Sequence, residues 1–401
     1  MNDKHSFRYL WIGQTLANSG DLFYIVGLIT IVYSLTQSAT IMAVIPFVIA
    51  FSRFFGGIIA PWVIDRYALK QILIYSQLVK TILLVCLTIY VFTLLGEGGL
   101  FFVFLLISFT AFLDGWATPA RNAMLPQLVP SHKLVRANSF LAVVDQIVQL
   151  GGWAVGGIFV AIFSGELLIL VTAILFILST IMMAAIQVKK QERKQTPRMD
   201  KLASLLEGWI TIWKTPSLRT VAATDIIDAI SSVVWIAAIL YIYIEEVLHK
   251  SEIWWGYINS TFFAGLIVGG FISFRIESHL KKRLATGIFV GTIMIGLITL
   301  CFGFTTNAWL ALVLSILVGI ATAIKDISQQ TVFQLTTSEE KLPKVFSARD
   351  AIMTGVFGSS TLLFGYLAEV FGVQVVFVVA SVLLLLSAIW SYVRRETLKI
   401  I

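Results

Sequence analysis

Residues 133–140 read KLVRANSF, and residues 341–348, 208 positions further on, read KLPKVFSA. Each octet stands just before a long apolar run. A second echo lies nearby in spacing: GGIIAPW starting at Gly56 and GGFISFR starting at Gly269 are 213 positions apart. A chain that repeats itself at about half its length is built from two related halves. Each half here holds six apolar runs. Two copies of six spans are a transporter architecture, with the substrate expected near the bilayer midplane where the copies meet.

The runs lie at 8–34, 39–63, 71–95, 100–125, 136–163, 166–188, 218–244, 253–275, 284–304, 307–333, 345–371 and 373–393. One bilayer-spanning helix takes about 20 apolar residues, so twelve such helices use most of the 401 residues. The composition agrees: 58% hydrophobic, 13% aromatic and only 13% charged, with mean hydropathy +0.91. A soluble domain carries about a quarter charged residues, so soluble classes are excluded. The expected fold is an all-α integral membrane protein, with twelve transmembrane helices in two pseudo-symmetric six-helix bundles. The bundles are 1–188 and 218–401, joined by a linker at 189–217.

A net charge of +7 raises the question of a nucleic-acid partner. Such a protein needs an exposed basic face, whereas here the basic residues sit in short loops between apolar runs, and none is expected to bind nucleic acid. Of the 29 Lys and Arg, 24 fall on one side, in the termini, the even-numbered loops and the linker or within a few residues of them at the run ends. The opposite loops hold only Lys250. The positive-inside rule therefore places both termini and the linker in the cytoplasm of a multi-pass protein of the cell (plasma) inner membrane. The first run, with Asn18 and Asp21 inside it, is too long for a signal peptide and is read as a span. Cys86 and Cys301 each lie within an apolar run, so no disulfide framework is expected.

The linker opens with KKQERKQTPR at 189–198, a charge run. From Asp200 to Thr215, Leu202, Leu205, Leu206, Trp209, Ile212 and Trp213 recur at helical spacing, which predicts an amphipathic helix. It either lies at the cytoplasmic interface or packs beneath the bundle.

Charges inside a membrane cost ~2.5–3.5 kcal/mol each on insertion scales, so each needs a reason. At ~1.5 Å rise per residue, Asp21, Arg53, Lys80, Asp114 and Asp228 fall near the midplane. Asp145, Asp225 and the Lys325-Asp326 pair fall between midplane and cytoplasm, and Arg121, Arg349 and Asp350 near the cytoplasmic ends. Helical spacing groups them into stripes. Trp11, Gln14, Asn18 and Asp21 share a face of span one; Asp114, Thr118 and Arg121 one of span four; Asn138, Asp145, Gln149 and Gly152 one of span five. Asp225, Asp228, Ser232 and Trp235 do the same on span seven, and Lys325, Asp326 and Gln329 add a weaker set on span ten. Such stripes fit the wall of a water-filled cavity. A carboxylate desolvated by apolar walls is less stable ionised, so it can take a proton on one side and release it on the other. Asp21, Asp114 and Asp228 are the candidates, with Lys80 and Arg53 as counter-charges. The competing reading is that Asp21 or Asp114 simply pairs with Lys80 and never titrates. Trp254, Trp255, Trp209 and Trp213, near span ends, are read as interface anchors. The deeper Trp11, Trp116, Trp153 and Trp235 are shared between cavity and packing. The glycine pairs of spans two, five and eight, Gly152, Gly156 and Gly157 among them, are expected to allow close helix contact and rocking.

Several segments together resemble the major facilitator superfamily, and more narrowly its macrolide-efflux-like branch of drug:proton antiporters. FRYLWIGQTLANSGDLFY (7–24) resembles that branch's first helix, and ATPARNAMLPQLVPSHKLVRANSF (117–140) its hairpin between spans four and five. Asp65-Arg66 stands where the superfamily places its loop 2–3 signature, although Pro61 replaces the expected Gly. In span five, Gly152-Trp153-Ala154-Val155-Gly156-Gly157 resembles the antiporter motif without its Pro. The resemblance implies that spans one, four, seven and ten line the cavity. It also implies that Asp65 and Arg66 latch loop 2–3 against the second half, and Arg121, Asp145, Arg349 and Asp350 are read as gate or hairpin charges.

The expected activity is secondary active transport by alternating access: export of a hydrophobic or amphipathic small molecule in exchange for protons. An exporter or flippase of an anionic lipid or siderophore, or an uncoupled facilitator, is the alternative; a channel or membrane sensor ranks behind both. No GxxxxGK[ST] loop occurs, so ATP is not expected as the direct energy source. No nucleophile–base set or metal cluster is read from the chain, so neither enzyme activity nor a cofactor is expected. The expected partners are substrate, protons and the bilayer, with the chain acting as a monomer.

Overall fold

The computed structural model describes residues 3–36, 39–95, 99–187, 201–235, 237–251 and 253–398. The charge run at 189–198 lies outside them, as do the side chains of Leu202, Leu205 and Trp153. Six long helices come first: α1 (Asp3–Thr36), α2 (Ala39–Arg66), α3 (Leu69–Thr93), α4 (Phe101–Leu128), α5 (Leu134–Ile162) and α6 (Gly165–Ala184). The amphipathic linker helix follows as α7 (Lys201–Lys214). Then come α8 (Pro216–Ser231), α9 (Ala237–Glu246), α10 (Ile253–Arg275), the short α11 (Glu277–Lys282), α12 (Leu284–Phe304), α13 (Ala308–Thr336), α14 (Leu342–Phe371) and α15 (Val373–Val393). Eleven helices among the described residues are long and apolar enough to cross a bilayer, and the bent pair α8–α9 makes a twelfth.

The chain chemistry sets the helix ends. Ser164 caps α6 by accepting from the Leu167 N–H, and Asn307 caps α13 by accepting from Trp309 and Leu310. Such caps satisfy amide donors that have no partner within the helix. Pro216 opens α8 at a position whose N–H is not needed. Pro46, Pro61, Pro119 and Pro126 lie inside α2 and α4, as bilayer helices tolerate where neighbours satisfy the freed carbonyls.

Span seven, expected as one run at 218–244, is broken. A 3-10 turn at Ser232–Trp235 separates α8 from α9, which bend by 45°. Ser232 Oγ donates to the Ala229 carbonyl (3.1 Å), the kind of back-bonding that bends helices.

The described chain clusters into two units. One comprises Met1–Pro130, Ile147–Gly208 and Glu339–Ala348; the other comprises Ser131–Gln146, Trp209–Ser338 and Arg349–Ile401. Each half of the sequence thus lends one short segment to the other unit, and those segments contain the two repeated octets. In the first unit α1 packs on α6, α2 on α4, and α3 on both α4 and α6. Tyr24, Leu28, Leu84 and Phe176 form part of its core. In the second, α10 packs on α13, α12 on α13 and α15, and α8 on α15. Tyr243, Phe302 and Phe377 anchor that core, with the Tyr243 hydroxyl donating to the Phe302 carbonyl (2.6 Å).

The α2–α4 and α10–α13 contacts share one device. A Cβ on Gly115 would run into the Arg53 carbonyl and the Gly57 amide; one on Gly319 would run into the Phe262 carbonyl and one on Gly265 into the Ile316 carbonyl. Backbones approach here as only glycine allows. Gly152 and Gly156 of α5 face Leu22 and Val26 of α1, whereas a Cβ on Gly157 meets open space. A contact that only glycine allows is thus present at Gly152, an ordinary packing contact at Gly156 and none at Gly157. Large apolar side chains left uncovered by protein, such as Phe47, Ile82, Phe109 and Trp309, supply the surface a bilayer solvates.

Candidate functional site

Four helices of the first unit converge on Lys80. Its ammonium lies 2.6 Å from Asp114 Oδ1, 3.1 Å from Asp21 Oδ1 and 3.2 Å from Asp21 Oδ2. The side chain is 2% exposed and its Nζ stands 4.9 Å from the centre of the Phe176 ring. Arg53 of α2 reaches Asp114 Oδ2 at 3.3 Å, and more than half of its side chain remains uncovered. Two cations and two anions therefore close one network. Around it a small polar pocket is lined by Gln14, Asn18, Gln77 and Thr118 along with the four charges. The Gln14 amide donates to Asn18 Oδ1 (2.7 Å), while Gln77 Nε2 is buried without a hydrogen-bond partner. All four expected groups are brought together, in the paired arrangement that was the competing reading for Asp21 and Asp114. Trp11 and Trp116 sit half-buried on the same helices, and Trp116 Nε1 donates to Ser76 Oγ (2.8 Å).

In the second unit Lys325 of α13 donates to Asp228 Oδ2 of α8 at 2.7 Å, and its ammonium also lies 3.4 Å from Asp326 Oδ1. Asp228 Oδ1 is buried without a hydrogen-bond partner. Asp326 is mostly uncovered. One turn away, Gln329 Nε2 donates to Thr224 Oγ1 (3.0 Å). Asp21 and Asp228 are 207 positions apart, near the repeat spacing, so α1 and α8 carry the two carboxylates at related places.

Three further residues of the span-seven stripe differ in their surroundings. Asp225 is fully enclosed and clamped by Arg349, whose Nε and Nη2 reach its two oxygens at 2.5 and 3.1 Å. Arg349 Nη1 also donates to Gln330 Oε1 (3.3 Å). Ser232 is exposed and spends its hydroxyl on the backbone. Trp235 stacks among Phe262, Phe302 and Phe377, with ring centres 4.6 Å apart for Phe302. Beyond Ser231 the chain tightens to a 3-10 turn, which rotates Trp235 off the helical stripe. Gln329, expected on a cavity, is likewise buried.

The charges expected at the gate have the following surroundings. Asp65 pairs with Lys344 (2.5 Å), which also holds Glu207 Oε2 of α7 (2.6 Å) and is itself only 5% exposed. Lys341 adds a contact to Glu207 at 3.6 Å. Arg66 lies over the Trp62 ring, 4.0 Å from its centre. Arg121 donates to its neighbour Asn122 (3.3 Å). Asp145 and Asp350 sit half-buried on α5 and α14. Asn138, noted on span five, donates to Thr331 Oγ1 (3.1 Å) and Gln334 Oε1 (2.7 Å) of α13. Glu207 and Lys344 were missed by the sequence reading; both stand in polar linkers where charge is ordinary, and only folding buries them.

The family profile described as "Transmembrane secretion effector" matches residues 3–397. The chain is 31% identical over 386 residues to the uncharacterized MFS-type transporter YfmI of Bacillus subtilis, covering 96% of this chain and 95% of the relative. It is 20% identical over 410 residues to macrolide efflux protein A of Streptococcus pyogenes, covering 100% and 98%. The crystal structure of the human organic anion transporter MFSD10 superposes with a TM-score of 0.79 at 10% identity, covering 98% and 100%. With twelve spans in two repeated halves and a match across nearly its whole length, the chain belongs to the transmembrane secretion effector family of the major facilitator superfamily of membrane transporters.

Proposed function

We propose that the protein is a secondary active transporter that exports hydrophobic or amphipathic small molecules in exchange for protons. The halves 1–188 and 218–401 alternate access to the two sides of the membrane, and the termini face the cytoplasm. The observation that carries the reading is a buried carboxylate–lysine pair in each half: Lys80 with Asp21 and Asp114, and Lys325 with Asp228. Ionisable groups held inside a bilayer mark substrate or ion pathways. Asp228 offers the simplest cycle. A proton on its free oxygen cancels the charge that holds Lys325, and the ammonium then turns to Asp326, already within 3.4 Å. Loss of the proton returns it. Asp21 and Asp114 share one lysine, so a proton on either leaves the other paired. The efflux name of the streptococcal relative is consistent with a bulky, apolar cargo.

A second reading is favoured by one feature of the pocket. Arg53 is half-uncovered and keeps donors beyond the one given to Asp114, and Gln77 Nε2 has no partner. A cargo with an anionic head, such as a lipid or siderophore, would use both.

The deciding experiment is uptake of a fluorescent lipophilic cation into inside-out vesicles with an inside-acid pH gradient. Accumulation abolished by a protonophore is expected. If none occurs, and anionic amphiphiles accumulate in a manner lost with Arg53→Gln, the second reading replaces the first.

A further inference from the structure

The linker helix α7 is oriented against the usual sense of an amphipathic helix on a protein. The docked side carries Glu207 and Gly208 as well as the apolar Ile212. Glu207 reaches Lys344 and Lys341, a Cβ on Gly208 would collide with the Lys344 backbone carbonyl, and Ile212 is fully buried. The opposite side carries Leu206, Trp209, Ile210 and Trp213, all uncovered at 37–46%. At 100° per residue these four share one arc of the helix.

Three facts on the chain say what covers that arc. Only Thr215 separates α7 from Pro216, where the span α8 begins, so the helix lies at the membrane boundary. Two tryptophans stand in the bare arc, and indoles concentrate at that depth. In the sequence, Lys201 and Lys214 stand at the ends of the helix, and the run before it supplies Lys189, Lys190, Arg193, Lys194 and Arg198 against only Glu192 and Asp200. Basic clusters next to an amphipathic helix attract anionic headgroups.

We propose that the bare face of α7 docks on anionic phospholipid, and that the docked helix, through Glu207, holds Lys344 in its pair with Asp65. Lys344 has two carboxylate partners, one from the end of α2 and one from a helix that answers to the membrane surface. Anionic lipid thus becomes a requirement for the closed three-residue cluster.

The test uses the full chain with Cys86→Ser and Cys301→Ser, reconstituted in vesicles of phosphatidylcholine alone or with added phosphatidylglycerol. A bimane on Ile210→Cys should be quenched by lipids carrying a doxyl group near the headgroup, more strongly with phosphatidylglycerol. Replacing the five basic residues of 189–198 with Gln should remove that lipid-charge dependence. In a second chain, the buried Val345→Cys should resist a maleimide in phosphatidylglycerol vesicles. It should react several-fold faster in phosphatidylcholine or when Glu207→Gln is added. Quenching by aqueous iodide instead of lipid overturns the docking. Quenching that tracks protein density rather than lipid charge assigns the face to a second copy and also overturns it. Val345→Cys reactivity indifferent to lipid and to Glu207→Gln overturns the link to Lys344. Neither readout involves transport, so failure here leaves the transport reading to its own test.

Discussion

At Lys80 one ammonium serves two carboxylates while buried to 2% exposure. Removing one partner of a buried ion pair leaves an uncompensated charge and costs about 3–5 kcal/mol. Lys80→Met should therefore lower the thermal unfolding temperature in detergent sharply, because Asp21 and Asp114 would then face each other. Adding Asp114→Asn to Lys80→Met should restore part of the loss; an equal loss in single and double variants would show that the pairing is not what stabilises this site. Asp228 makes a different prediction. Asp228→Asn keeps a polar group of the same shape beside Lys325, so the protein should fold, yet gradient-driven accumulation should fall to that of empty vesicles. Retained coupling in Asp228→Asn would move the proton to the Lys80 cluster. The carboxylates were legible as intramembrane charges at helical spacing. Their partners were legible only in part: Lys80 was read as a counter-charge, whereas the assignment of Lys325 to Asp228 rather than Asp326 depends on which way a long side chain turns.

Among the elements, the glycine seams decide how closely helices meet. Gly115→Leu or Gly319→Leu must push a backbone carbonyl aside, and overpacking of this kind costs about 1–3 kcal/mol. Gly157→Ala meets open space and should stay within about 0.5 kcal/mol of the parent. Thermal unfolding of the three variants side by side separates these outcomes. Equal losses at Gly115 and Gly157 would refute the seam. Glycine pairs were visible in the sequence, but which member faces a helix and which faces space follows from rotation about the helix axis. The break at Ser232–Trp235 belongs to the same scale. A continuous apolar run hid it, so the stripe was carried on through Ser232 and Trp235 at a helical period that ends at Ser231.

For the whole molecule, the lysine and arginine distribution makes the sharpest statement. With Cys86→Ser and Cys301→Ser as background, Lys250→Cys should react with a membrane-impermeant maleimide added outside intact cells. Lys282→Cys should react only after permeabilisation. Reversed labelling would invert the topology and with it the direction of every step proposed for the cycle. At this scale the repeated octets have a structural counterpart: Ser131–Gln146 and Glu339–Ala348 are the segments that each half lends to the other unit. Asn138 and Lys344, one in each, are committed to side chains of the unit that receives them.

Span number, repeat and class were written in the chain, because hydropathy must satisfy a bilayer and a bilayer imposes one length on every crossing. The charges that need explanation were equally plain, since so few polar groups lie within apolar runs. Tertiary structure alone decided which charge meets which. It sent Asp225 to Arg349, Lys325 to Asp228 and Lys344 to both Asp65 and Glu207. Those pairs join residues 97 to 279 positions apart along the chain, and spacing within one helix carries no information about the side chain that will stand opposite.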